Sequence, residues 1–314
     1  MGPQGDARGS SAQYHPVVTS ETGRTDPRVK RVSERVWVYG HDWTRLEPTI
    51  GMVLTAEGWV AVDGGNTPSH GRRAYEAMQA IEAAPVRYVI NTHRHFDHVF
   101  GNQAFEAPVV GSQRCFERFS QNVQDDWSSG RALGWLEAHI FPLNRGLSAA
   151  DFADLTLVTP SISFAERLAL HFGRLSLELF PLSGVHSDDG VGVYVPQERV
   201  LFLGDAFYFQ GTSEGRALRL PELLDRVDKL DVKVYVPGHE RPHDRATFER
   251  LRRYVHELVA FVSAESAGGT TLDAVLKRHR FDPSLNKTSF LSAKQHRRLV
   301  RAAWRELAPK VPRA

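Results

Sequence analysis

The chain of 314 residues has one cysteine, Cys115, so no disulfide can form within it. Cys115 also stands apart from the histidine motif described below, so a thiolate metal ligand is not expected. No apolar run approaches the length of a membrane-crossing helix. The polar residues 1–26, rich in Gly, Ser, Thr and Pro, lack the apolar stretch of a secretory signal. Neither sign of charge is in excess. The 39 Lys and Arg stand against 37 Asp and Glu, and a net charge of +2 is too small for a surface that tracks nucleic-acid phosphates. No repeat of solenoid length is present. These absences predict a cytoplasmic protein with neither a membrane nor a nucleic-acid partner, preceded by a disordered leader over 1–27. What is present fits a large unaided core: 41% of residues are apolar and 24% charged.

Alternating or continuous apolar runs predict strands over 27–38, 50–54, 59–62, 86–90, 168–172, 175–182, 191–195, 200–203 and 232–236. Helical spacing marks 67–83, 219–230, 244–265, 271–279 and 292–307. Residues 112–165 differ. Their many aromatics, broken by Ser128-Ser129-Gly130 and Pro142, predict a helical insert that packs as core or covers a site as a lid. The helices of 266–314 carry apolar stripes at Leu272, Val275 and Leu276 and at Leu299, Ala303 and Leu307, suited to packing on the domain of 28–265 or to a homodimer contact.

The most informative stretch follows the strand at 86–90: Asn91-Thr92-His93-Arg94-His95-Phe96-Asp97-His98. In extended chain, side chains two apart point the same way, so His93 and His95 can grip one metal ion. Asp97 and His98 follow where the chain must turn, and can face a second ion. Imidazole and carboxylate are ligands that zinc and similar divalent metals accept. Four more polar residues end apolar strands: Asp63, His186, Asp205 and His239, each with a glycine close by. Open sheets carry their sites at such strand ends, and glycine lets the backbone turn there.

In this order, Asp63, His93-x-His95-x-Asp97-His98, His186, Asp205 and His239 resemble the five motifs of the metallo-β-lactamase superfamily, over about residues 28–245. The resemblance implies an α+β fold, a four-layer αβ/βα sandwich, here with the helical insert and extra C-terminal helices. It implies two metal sites: His93, His95 and His186 at the first, Asp97, His98 and His239 at the second, and Asp205 bridging them. Asp63 would lie behind the ligands and orient the metal-binding loop. The β-lactamases of this superfamily usually carry Cys or Ser where Asp205 stands, so the bridging Asp is more similar to the glyoxalase II and lactonase branches. The implied activity is that of a dinuclear hydrolase. Two zinc ions, with manganese or iron chemically acceptable, would activate a hydroxide that attacks the carbonyl of a small ester-like substrate: a lactone, a thioester or a β-lactam-type ring. Asp97 would orient the hydroxide and shuttle a proton. Substrate contacts are expected from Trp43, Trp127, Trp135, Tyr194 and Tyr208. The alternative is a mononuclear iron dioxygenase of sulfur compounds with the same fold, against which the complete seven-ligand set weighs.

Overall fold

The computed structural model describes residues 26–123, 131–143, 145–208, 216–281 and 292–307. Two β-sheets stack face to face. The first contains β1 (Val29–Arg31), β2 (Val36–Tyr39), β3 (Ile50–Thr55), β4 (Gly58–Val62), β5 (Val86–Ile90), β6 (Val109–Ser112) and β7 (Ile162–Phe164), in that spatial order. The second runs β13 (His243–Asp244), β12 (Val234–Pro237), β11 (Val200–Gly204), β10 (Val191–Val195), β9 (Leu175–Pro181), β8 (Leu168–Phe172). Strands β4 to β7 pair in parallel, as do β11 and β12; the other pairs are antiparallel.

The near-continuous apolar strands are explained by burial on both faces. Val36, Val38, Val53, Val60, Val62 and Ile90 of the first sheet meet Leu177, Leu179, Val191, Val193, Val200 and Val236 of the second in a dry layer between the sheets. Each such side chain contributes roughly 1.5–3 kcal/mol on burial. The outer face of the first sheet, with Trp37, Met52 and Trp59, is covered by α1 (Pro68–Ile81) through Ala74 and Met78. Helix α1 starts where Thr67 accepts a hydrogen bond from the His70 amide and Pro68 occupies the first turn. The outer face of the second sheet is covered by α5 (Leu220–Asp228), α6 (Arg245–Ala267), α7 (Leu272–Arg278) and α8 (Ala293–Leu307). Val275, Leu299, Val300 and Ala303 are buried there beside Leu251, Val255 and Leu258 of α6. Layers of helix, sheet, sheet and helix form the sandwich of the metallo-β-lactamase fold, with the C-terminal helices added on one side.

Two expectations change in detail. The single strand over 27–38 is a hairpin: the polar Ser33-Glu34-Arg35 turns the chain, the Val32 amide donates to the Val36 carbonyl at 2.9 Å, and β1 pairs back on β2. Among the described residues of 112–165, α-helix is found in α3 (Gln113–Asn122) and α4 (Arg131–His139). The stretch continues through short 3-10 turns and returns to the first sheet as β7, whose backbone pairs with β6. Tertiary pairing there overrides a weak local pattern. Among the described residues no helix is long and apolar enough to cross a membrane.

Candidate metal centre

The strand ends β4, β5, β9, β11 and β12 deliver the predicted polar residues to one end of the sandwich. Asp63, immediately after β4, is buried and adopts φ +65°, a left-handed conformation that Asp tolerates better than most side chains. Its carboxylate accepts three hydrogen bonds: from the Thr92 amide at 2.7 Å, the Thr92 hydroxyl at 2.9 Å and His98 Nδ1 at 2.8 Å. Asp63 therefore ties the end of β4 to the histidine loop and fixes the His98 tautomer. With Nδ1 protonated toward Asp63, His98 Nε2 turns inward, where it is buried and has no hydrogen-bond partner.

The chain stays extended through His95 and then enters the single helical turn α2 (Phe96–Val99). The extended part brings His93 Nε2 to 3.1 Å from His95 Nδ1. His186, from the loop after β9, completes this group with its Nε2 at 3.0 Å from His95 Nδ1. Its other nitrogen, Nδ1, donates to the Tyr208 carbonyl at 2.8 Å, which aims Nε2 at the group. The helical turn presents Asp97 and His98 to the side. His239, just past β12, sets Nε2 at 2.9 Å from Asp97 Oδ2 and stacks on Trp43 with ring centres 4.7 Å apart.

Asp205, just past β11, stands between the two groups. Its Oδ1 lies 3.6 Å from His98 Nε2, and its Oδ2 lies 3.5 Å from His186 Nε2 and 3.7 Å from His239 Nε2. Glycine is required beside it. Gly204 has φ +49° and sits against Thr92, and a Cβ on Gly238 would collide with Asp205 Oδ1 and come within 2.8 Å of His98 Cε1.

The electrostatics suit cations. Burial and the neighbouring His98 push the His93 pKa well below its ordinary value, and burial takes His186 down to about 4. Both rings are neutral near pH 7, and their Nε2 atoms converge on His95 Nδ1 at 3.1 and 3.0 Å. Burial opposes ionisation of Asp205, but His239, His98 and His186 hold its pKa well below the usual carboxylate range. Three overlapping groups result, with ligand atoms mutually within 4.8 Å: His93, His95 and His186; His93, His98 and Asp205; Asp97, His98 and His239. An orphaned inward nitrogen, converging imidazole nitrogens and carboxylates kept ionised are a donor set that fits divalent metals.

The cluster opens into a cavity of about 700 Å³. Trp43, Phe96, Trp135 and Tyr208 line it, so three of the expected aromatic contacts lie on its wall. Tyr194 does not. It is buried in the outer core of the second sheet, and its hydroxyl donates to the Asp231 carbonyl at 3.0 Å, because odd and even positions of β10 face opposite sides. Trp127 lies outside the described residues. Sequence reasoning overlooked Asp188 and Asp189. The Asp189 carboxylate accepts from the Arg94 amide at 2.8 Å and from Arg94 Nη1 at 3.2 Å, and Asp188 lies 3.4 Å from the same Nη1. The paired acids two and three residues past His186 were the available signal.

Residues 43–239 match the model of the Metallo-beta-lactamase superfamily. The chain is 24% identical over 268 residues to a linear primary-alkylsulfatase of Pseudomonas sp. (strain ATCC 19151), covering 74% of this chain and 50% of the relative. Its structure is similar to that of a stereoselective inverting sec-alkylsulfatase from Pseudomonas sp., with TM-score 0.65 and 16% identity over 88% of this chain and 50% of the other. A metallo-beta-lactamase from Pontibacter korlensis aligns with TM-score 0.54 and 21% identity, over 73% of this chain and 98% of the other. The chain thus spans about half the length of either alkylsulfatase.

Proposed function

Because the chain belongs to the metallo-beta-lactamase superfamily, whose members are mostly hydrolytic enzymes, we propose that it is a dinuclear zinc hydrolase of small ester-type substrates. One observation carries this reading: seven side chains able to ligate a metal converge from four loops beside a cavity with aromatic residues in its wall. His93, His95 and His186 would hold one ion, Asp97, His98 and His239 the other, and Asp205 both. Two divalent ions in such a site supply a water acidified toward neutrality and a Lewis acid for the bond under attack.

The side chains of the chain do the rest. Asp63 and Tyr208 fix the inward nitrogens of His98 and His186 through the hydrogen bonds at their far sides. Burial raises the Asp97 pKa, but His98 and His239 outweigh it and hold the carboxylate ionised, ready to take a proton from the attacking water and return it to the leaving group. Trp43, stacked on His239, closes one side of the centre against solvent. Phe96 and Trp135 offer an apolar body its binding surface. A carbonyl compound (lactone, thioester or β-lactam-type ring) and a sulfate monoester such as the Pseudomonas relative's name implies make the same demand on this arrangement.

The test is elemental analysis of the purified chain beside turnover of nitrocefin, a lactone, a thioester and an alkyl sulfate. The expected result is near two zinc ions per chain with turnover abolished in His93→Ala and Asp97→Ala. One iron per chain, with oxygen uptake on a thiol and no hydrolysis, would overturn the proposal.

A further inference from the structure

The cavity that opens from the ligand cluster is bordered by cations as well as aromatics. Helix α8 contributes two, Lys294 and Arg298, one helical turn apart and so on one face. The rotation of α8 is fixed by its opposite side, where His296, Leu299, Val300 and Ala303 are buried in the outer core. Tyr208 links this pair to the centre. Its ring centre lies 6.0 Å from that of His186, and Gln295 and Arg298 stand close enough to its hydroxyl to favour the ionised form, against the upward push of burial on its pKa. The Arg298 guanidinium is thus one tyrosine side chain away from a ligating histidine.

The charges around the cavity are not balanced locally. Arg94 is engaged by Asp188 and Asp189, and Arg145 donates to the Trp43 carbonyl at 3.2 Å. Among the described residues neither Lys294 nor Arg298 forms an ion pair with a carboxylate. The carboxylates that line the cavity, Asp97 and Asp205, are turned to the ligand histidines. Phe119, Ile140 and Leu143 extend the apolar lining of the same cavity. A guanidinium and an ammonium facing an apolar chamber are chemically matched to a molecule with one anionic end and one apolar body.

We infer that Lys294 and Arg298 form an oxyanion subsite beside the metal centre, selecting small amphiphilic anions whose carboxylate, sulfonate or sulfate sits on an apolar body. The inference rests on the cavity being the substrate site of the proposed hydrolase, and its test needs no turnover. Binding of octanesulfonate, octanoate and neutral octanol to the full chain is measured by calorimetry, with metal bound and after chelation. Both anions are expected to bind more tightly than octanol in either metal state. Arg298→Gln should weaken the anions roughly tenfold, and Lys294→Ala by less because the lysine is exposed, while octanol is unaffected. Arg301→Ala, an exposed cation of the same helix that does not line the cavity, should change nothing. Within that outcome, tighter binding of sulfonate or of carboxylate assigns the oxyanion.

Equal binding of octanol and the anions, or anion binding unchanged in both variants that retain the wild-type circular dichroism, would overturn the subsite. So would a preference for anions that vanishes on chelation, since the metals would then be the receptor. A chain that hydrolyses esters yet fails this test loses the subsite alone. A chain that passes it but turns over nothing loses the hydrolase reading alone.

Discussion

At the scale of single residues, Asp63 orders the candidate centre through its hydrogen bonds. It receives three hydrogen bonds in a buried position and orients both Thr92 and His98. Asparagine tolerates the same left-handed backbone, so Asp63→Asn removes the charge with little added strain. The expected result is a 10–100-fold loss of zinc affinity, the usual size of such an effect, measured by competition with a chromophoric chelator. Unchanged affinity would reduce Asp63 to a turn residue. The clustering of the His and Asp side chains was legible in sequence because metal chemistry restricts candidate ligands to a few residue types, and strand periodicity places those at loop starts. Tyr194 was misplaced because an aromatic in a strand reads the same whether it faces the cavity or the opposite core. Asp188 and Asp189 were missed because their partner Arg94 is distant in sequence, and only the fold brings them together.

At the scale of elements, the C-terminal helices are bound to α6 by apolar contact, by the Arg278–Glu265 ion pair at 2.8 Å and by a buried polar network. The Tyr254 hydroxyl of α6 lies 2.7 Å from His296 Nδ1 of α8, and His296 Nε2 lies 3.3 Å from the His279 carbonyl. Burial, then the neighbouring His279, take the His296 pKa down to about 4 from 6.5, and burial also lowers His279. The folded state therefore prefers the neutral ring. Its contribution to stability is complete above pH 6.5 and is lost as pH falls toward 4, because the unfolded chain binds the proton first. His41 and His243, also lowered to about 4, add to the same slope. Thermal unfolding should occur several degrees lower at pH 5 than at pH 7, and His296→Phe should flatten that difference. An identical slope in the variant would remove His296 from the account. The helices themselves were readable from apolar spacing, whereas β7 was not. Three residues with two exposed side chains carry almost no periodicity, and only pairing with β6 makes them a strand.

At the scale of the whole molecule, the centre lies across the joint between the sheets. Asp63 and the histidine loop belong to the first sheet; His186, Asp205 and His239 belong to the second. Bound ions would then hold together two layers otherwise joined by apolar packing and by polar contacts such as those of Arg94 with Asp188 and Asp189. An ion at a hundred times its dissociation constant adds about 2.7 kcal/mol to a fold that alone can bind it. Chelation should accordingly lower the melting temperature by several degrees, restored on adding zinc, as read by scanning calorimetry. A chain verified as metal-free that melts unchanged would show that the sandwich does not depend on its centre. The split also imposes an order in time. A ribosome releases His93, His95, Asp97 and His98 early, and His239 emerges only after nearly half the chain's length has followed, roughly ten seconds later or more. Through that interval the nascent protein displays half a chelating cluster, open to any soft or abundant ion in its surroundings. The full donor set exists only once the strands that carry His186, Asp205 and His239 have docked.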